Sequence, residues 1–316
     1  LVAGCSAAGV TFRTRCSARA LIQGPDGRIT GVRTDSGVIA ARHAVVIATG
    51  GFERDSARMA RHFAGPFGCI ASSPGNLGEG QTMAEAVGAQ LARMDQANIA
   101  PALPAQLDGA PLPIGTFHHR EPGAFLVNRA GRRFVNEYTF NLGEVLSERD
   151  GSGAARPLPA WLILDTATLR ASPLLRHYLR RAPKGYLHSA PSPEALACAL
   201  DLPPETFSAT LARFNTDARA GRDRQFERHL DPLTGEADGV SRMLPLTRAP
   251  YLALPFNLTL LGTKGGPRTD AAGRVQNHKG RAIPGLYACG LAMANPIGTR
   301  AAGSGTTLGP NLTWGY

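Results

Sequence analysis

The stretch that most constrains this chain is its closing segment, residues 284–316. Gly285-Leu286-Tyr287-Ala288-Cys289-Gly290 is a short apolar run closed by glycine, the pattern of a buried strand end. Residues 298–305 are small apart from Arg300, and Gly298, Gly303 and Gly305 let a ligand approach the backbone closely. Thr306-Thr307-Leu308-Gly309-Pro310 predicts a helix start, because Thr can cap and Pro suits the first turn. Strand, glycine-rich loop and helix N-terminus together form an anion site, since free N–H groups and the helix dipole converge on it. The same pieces also form an ordinary strand–loop–helix turn, and this stretch alone leaves both readings open.

A chain of 316 residues has room for two domains. Its 43% hydrophobic and 18% charged residues place it among soluble globular proteins, and no apolar run nears the roughly 20 residues of a membrane span. The net charge of +10 raises nucleic acid as a partner. Against this, the only lysines are Lys184, Lys264 and Lys279, the arginines are dispersed, and no basic run is interleaved with aromatics. A dispersed basic surface that mildly steers anionic substrates is the expectation, with no nucleic-acid partner. Cys5, Cys16, Cys69, Cys198 and Cys289 form no CxxC pair, which argues against zinc, iron–sulfur clusters and a disulfide framework. A reducing, cytoplasmic setting fits, with no metal site. His118-His119 lacks the i, i+4 spacing of helix-borne ligands, so a substrate-facing and a bland loop role stay open. The chain begins at Leu1, without an initiator Met, and stops at Tyr316 just after a helix begins, so a fragment cut at both ends is expected.

Along the chain, Val10 to Arg15 and Ala18 to Ile22 read as a broken strand. Gly24-Pro25-Asp26-Gly27 is a turn, and Ile29 to Thr34 a second strand. Ala44-Val45-Val46-Ile47-Ala48 predicts a strand buried on both faces of a parallel sheet, ending in Thr49-Gly50-Gly51. Residues 81–91 carry Met83, Ala86, Val87 and Leu91 at helical spacing. Glu79 precedes them, and a helix-start carboxylate favoured by the dipole is one reading of it. From about Ile99 the character changes, with Pro101, Pro104, Pro111 and Pro113 marking a loop. Residues 123–128 and 131–137 suggest a hairpin, and Trp161-Leu162-Ile163-Leu164-Asp165 another strand. Residues 193–221 suggest helices with Leu196, Leu200, Phe207, Leu211 and Phe214 inside.

In order, these pieces resemble the fumarate reductase/succinate dehydrogenase flavoprotein superfamily, most closely its 3-ketosteroid Δ1-dehydrogenase-like branch. The resemblance is carried by the VVIATGGF run, by Gly78-Glu79-Gly80 before a helix, by VNRAGRRFVNE at 127–137, by Gly262-Thr263-Lys264-Gly265-Gly266, and by GLYACG with the closing GTTLGP. It implies an α/β fold: a two-part Rossmann-like FAD-binding domain with an inserted α+β cap domain. The expected division is 1–98 for the first FAD-binding part, 99–250 for the cap and 251–316 for the second part. The usual GxGxxG unit is missing, and the early Ala3-Gly4-Cys5-Ser6-Ala7-Ala8-Gly9 lacks its spacing. FAD is the implied cofactor, with Ala18, Thr49, Gly50, Gly51, Glu79, Gly290, Thr307 and Leu308 at the matching positions.

The catalytic positions depart from both branches. The slot after Asn136-Glu137 that holds the fumarate reductases' Arg, or the steroid enzymes' Tyr, falls on Asn141. The His before TxGG becomes Gly262, the clamp Arg falls near Ala302 with Arg300 nearby, and the last-loop Tyr falls on Ala301. A dicarboxylate needs bidentate cations, so these losses argue against fumarate. Gly305, whose N–H polarises the 3-keto oxygen in the steroid branch, is kept. Tyr138 and Tyr251 are replacement candidates, with packing as the alternative for each. Leu291 stands where relatives bind the ribityl chain through Glu or Asn. The catalytic candidates are therefore Gly305, Asn141 and Tyr138. The resemblance implies an FAD-dependent oxidoreductase acting on CH–CH groups, at a C–C bond next to a carbonyl of a bulky apolar, 3-ketosteroid-like small-molecule substrate. Alternatives are a fumarate reductase- or tricarballylate dehydrogenase-like enzyme and a flavin-binding protein without turnover. The sequence names no electron acceptor.

Overall fold

A computed structural model describes residues 1–316 apart from 108, 112, 116, 241, 300–304 and 306, and apart from the side chains of 107 and 110. The expectations for Arg300, Ala301, Ala302, Gly303, Ser304 and Thr306 lie outside the described residues.

Two bodies of structure share the chain. In the first, Ala18–Gln23, Ile29–Thr34 and Gly37–Ala40 form an antiparallel sheet, turned by the expected Gly24–Gly27 bond. Val10 to Arg15 is not a strand. It is exposed, and no described segment pairs with it. Val45–Ile47 lies parallel to Ala282–Ala288, which pairs on its other side with Arg274–Gln276. The core here is Leu21, Ile29, Ile47, Met83, Leu286 and Ala288, against which Ala18 packs. The run at 44–48 is buried on one face only: Ile47 is 3% exposed, and Val46, which points to the opposite face, is 58% exposed. The helix after Gly78 spans Glu79–Ala86 and is shorter than the pattern to Leu91 suggested. Gly88, at φ 84°, turns the chain so that Leu91–Ala92 can pair with Gly266–Pro267.

The second body is built on a four-stranded antiparallel sheet, Ala124–Asn128, Ala160–Asp165, Tyr251–Phe256 and His188–Ala190 in that spatial order. The hairpin expected over 123–137 is not formed. Ala124–Asn128 pairs with Ala160–Asp165 instead, and after the Asn128 turn the chain leaves the sheet. Tyr251–Phe256 is an interior strand, so the sheet extends past the boundary expected at residue 250. Helices Pro193–Ala199 and Pro204–Arg219 cover one face. Leu196, Leu200, Phe207, Leu211 and Phe214 are all buried there, as their spacing required. The other face packs on Leu103, Leu142, Leu146, Leu175 and Leu258.

A third small sheet joins the bodies: Thr259–Thr263 runs parallel to Cys69–Ile70 and antiparallel to Ala97–Ala100. It follows Tyr251–Phe256 directly, so one length of chain passes from the second body to the first. Gly143, in the Leu142–Ser147 helix, packs on this sheet, since a Cβ there would sit 2.6 Å from Ile99 Cβ.

His118 and His119 lie in a buried 3-10 turn against Phe256, with ring centroids 5.8 and 5.5 Å from it. Burial pushes the His119 pKa well below its ordinary value, and His118, Arg120 and Arg228 add to this. His119 is therefore neutral in the native state and charges on unfolding. The unfolded chain then binds more protons, so stability falls as pH drops below about 6.5, by at most about 1.4 kcal/mol per pH unit. Melting scans between pH 7 and pH 5 should show this slope in the wild type and a flatter one in His119→Phe. Equal slopes would remove His119 as the cause.

Candidate cofactor and substrate site

The end of Val45–Ile47 opens into the Thr49-Gly50-Gly51 turn, and its neighbour Ala282–Ala288 ends beside it: Cys289 N donates to Ile47 O at 3.0 Å. Gly50 has φ 80°, the left-handed region that favours glycine. Behind the turn there is no room. A Cβ on Gly51 would lie 2.3 Å from both Glu53 Oε2 and Thr263 Oγ1, and one on Gly50 would lie 2.4 Å from Asn76 Oδ1. Glycine is required there because the buried Glu53 and Thr263 and the half-buried Asn76 press against the backbone.

The Glu79–Ala86 helix packs onto the same turn. A Cβ on Gly80 would lie 2.2 Å from Thr49 Oγ1, and Gly78 caps the helix at φ 75°. Gln81 is fully buried, and its Nε2 donates to Gly50 O at 3.1 Å and to Ala292 O at 3.4 Å. One side chain thus joins the 49–51 turn, the Glu79 helix and the Gly290–Ala292 turn. Thr49 and Glu79 are exposed on the outer side. Gly290, at φ 69°, has open space where a Cβ would stand.

Thr307 sits further along, at the N-cap of the Leu308–Gly315 helix, and Leu308 is 66% exposed. Thr307 does not cap through its side chain. Its Oγ1 accepts from Asn98 Nδ2 at 2.9 Å, and Asn98 is paired in register with Gly262. Gly305 precedes the helix at φ 86°, exposed, with nothing among the described residues within 4 Å of a Cβ position.

Asn141 is the N-cap residue of Leu142–Ser147, where no side-chain cap bond forms, and the helix leans on Ile99, next to Asn98. Tyr138 is held elsewhere. Its hydroxyl donates to Arg120 O at 2.8 Å, and its ring lies 5.3–5.7 Å from the guanidinium carbons of Arg228, Arg242 and Arg120. Tyr251 is in an interior strand of the four-stranded sheet. A cavity of about 360 Å³ lies where the bodies meet, walled by Phe63, Phe67, Ile99 and Leu258 with Glu144 and Arg149. Two departures from the family pattern meet at Gly262: a Cβ there would be 2.9 Å from Leu291 Cδ1. The Leu291 side chain covers the place where a residue-262 side chain would project.

Glu53, Asn76, Gln81 and Asn98 are the polar residues that sequence reading missed, while Thr263 was named only as part of the 262–266 motif. Each is polar at a position that no local period marks, and its partner is distant in the chain. Lys264 was seen only as part of a motif, yet it is fully buried, and its Nζ has no hydrogen-bond partner among the described residues. Burial pushes its pKa down. Among the described residues no group of three His, Cys, Asp or Glu could hold a metal, and no helix is long and apolar enough to cross a membrane.

A glycine turn flanked by exposed Thr49, a helix start beside it and a second, half-buried glycine at 290 fit a dinucleotide laid against backbone. The profile of the FAD binding domain matches residues 1–308. The chain belongs to the FAD binding domain family. FAD is its cofactor. The chain is 37% identical over 309 residues to a 4-oxocyclohexanecarboxylate 2-dehydrogenase of Sinomonas cyclohexanicum, covering 93% of this chain and 54% of that protein. It is 31% identical over 332 residues to a 3-oxosteroid 1-dehydrogenase of Mycolicibacterium smegmatis, covering 92% and 55%. The crystal structure of 3-ketosteroid Δ1-dehydrogenase from Sterolibacterium denitrificans, in complex with 1,4-androstadiene-3,17-dione, superposes with a TM-score of 0.84 at 27% identity, covering 98% of this chain and 59% of that one. The chain thus spans just over half the length of these relatives.

Proposed function

We propose that this chain is the FAD-binding and substrate-receiving part of an oxidoreductase that acts on a C–C bond next to the carbonyl of a cyclic ketone. The observation that carries this reading is Gly305, an exposed backbone N–H at a left-handed position, with no atom of the described residues within 4 Å of where a Cβ would stand. It stands in a chain whose relatives are named for 3-oxosteroids and a 4-oxocyclohexanecarboxylate. When bound, FAD exchanges the hydride with the substrate carbon. The chain's own part is to bind and orient. The Gly305 N–H receives the carbonyl oxygen and stabilises the negative charge that grows there as the α-proton leaves. Phe63, Phe67, Ile99 and Leu258 give the ring an apolar wall. Tyr138 is turned into a cage of guanidiniums, which favours Asn141 over Tyr138 as the polar group facing substrate.

The division into two FAD-binding parts around a cap is part of this proposal. The sheet made of 124–128, 160–165, 188–190 and 251–256 supports it and favours a return seam after Phe256. A fumarate-type reaction is the weaker reading, because Gly262 offers no cation and Leu291 fills the space beside it.

The test is anaerobic mixing of the FAD-loaded protein with a 3-ketosteroid and, separately, with 4-oxocyclohexanecarboxylate. Bleaching of the flavin's visible absorbance by either ketone is expected. A flavin that dithionite reduces but neither ketone does would overturn the reading.

A further inference from the structure

We propose that Glu53 is a positioning residue for FAD: its buried carboxylate ties together the three separate segments from which this chain builds the cofactor's side of the site. The inference rests on FAD being the cofactor and is independent of which substrate is oxidised.

Glu53 is 1% exposed. Its Oε2 accepts from the Thr263 backbone N–H and from Thr263 Oγ1, both at 3.0 Å, and its Oε1 accepts from Asn76 Nδ2 at 2.6 Å. Thr263 Oγ1, which donates to Glu53, accepts in turn from Phe52 N at 2.9 Å. The loop around Asn76 is tied back to the first turn by Arg54 N to Asn76 O at 3.0 Å and by Gly78 N to Gly51 O at 3.2 Å. The 49–54 turn, the 76–78 loop leading into the Glu79 helix, and the 262–264 turn are therefore one hydrogen-bonded unit centred on a carboxylate.

The chemistry suits the position. A buried carboxylate is costly unless its oxygens accept several hydrogen bonds, and here three donors converge on it. It sits directly behind Gly51, as the 2.3 Å clearance to a Cβ shows. It fills the inner side of the turn, whose exposed residue is Thr49. Glu53 itself is too buried to touch the cofactor and acts through the backbone it holds. A ligand that lies against a backbone gains affinity when that backbone is already in the bound shape.

The test compares Glu53→Ala, Glu53→Gln and Asn76→Ala. FAD affinity is measured by fluorescence on titrating the apoprotein, beside the melting midpoint of each apoprotein. Loss of all three bonds in Glu53→Ala should weaken FAD binding about tenfold or more, taking each bond as worth about twofold to tenfold. In Glu53→Gln the amide oxygen can face Thr263, while its NH₂ faces Asn76, whose own amide can turn to accept. Affinity should then stay within about threefold. Asn76→Ala removes one donor at a partly exposed site and should weaken binding about threefold. A folded Glu53→Ala that binds FAD as the wild type does would overturn the proposal. So would a Glu53→Gln that loses affinity as far as Glu53→Ala. If Glu53→Ala does not fold, the other two decide: a weakened Asn76→Ala with a near-normal Glu53→Gln supports the role, and any other pairing overturns it. Absence of ketone oxidation would leave these affinities unchanged, so the two readings fail separately.

Discussion

Glu137→Ala is expected to destabilise the body built on the four-stranded sheet by about 3–5 kcal/mol, the usual cost of removing one partner from a buried ion pair. In melting scans this is a loss of roughly ten degrees. Glu137 is fully buried. It accepts from Arg133 Nη2 at 2.9 Å, Arg133 Nε at 3.2 Å, Arg228 Nη1 at 3.0 Å and the Leu126 backbone N–H at 3.0 Å. Arg133 also pairs with Asp223 at 3.0 and 3.1 Å, so two guanidiniums and two carboxylates balance inside the protein. Without Glu137, Arg228 keeps, among the described residues, the carbonyls of Glu121 and Ala124 and the faces of Tyr138 and Phe214, and one buried charge has no opposite there. Burial alone would push the Glu137 pKa up. The Coulombic pull of Arg133 and Arg228, with the bonds from Arg133 and Leu126, outweighs it and holds the carboxyl below its ordinary value. A lowered carboxylate pKa means stability present above the ordinary value of about 4 and lost as pH falls through the folded value. The variant should therefore show a shallower acid limb than the wild type. A midpoint within about a degree of the wild type would show that the network contributes little.

Gly305→Val is expected to leave the flavin absorbance intact and to lower kcat/KM for the ketone by about 100-fold or more. Among the described residues nothing blocks the new side chain, since none of their atoms lies within 4 Å of the Cβ position. The damage comes from two other sources. At φ 86° a β-branched residue is strained, and the loop must shift to relieve it, which moves the N–H off the carbonyl oxygen. The isopropyl group also projects into the space that the substrate ring would occupy. The Gly309 N to Gly305 O bond of 2.8 Å shows that the residue also anchors the helix start, so the flavin spectrum must be read in parallel. Near-normal turnover would remove Gly305 from the site. Loss of flavin as well as turnover would assign the loop to the cofactor.

Those two residues differ in how far the sequence revealed them. Gly305 was visible as glycine in a small-residue loop before a helix, a local signal with a local cause. The same holds for Leu196, Leu200, Phe207, Leu211 and Phe214, where one helical period marks one buried face, and for Gly50, whose left-handed backbone excludes most other residues. Glu137 was visible only as part of a motif, because a charged side chain carries no mark of its burial. Tertiary structure alone decided the pairings. An apolar run such as 44–48 states that a strand forms there. Whether one face or two are covered depends on neighbours elsewhere in the chain, and Val46 is exposed. The place of Tyr251–Phe256 between Ala160–Asp165 and His188–Ala190 comes from backbone hydrogen bonding that any apolar strand could make. Glu53 meets Thr263 from 210 positions away. The sequence by itself determined the glycines, the helical faces and the family resemblance, because each depends on residues close together in the chain. Which buried polar groups meet behind the glycine turn was decided by the tertiary structure, because a hydrogen bond across such a separation exists only after both strands are in place.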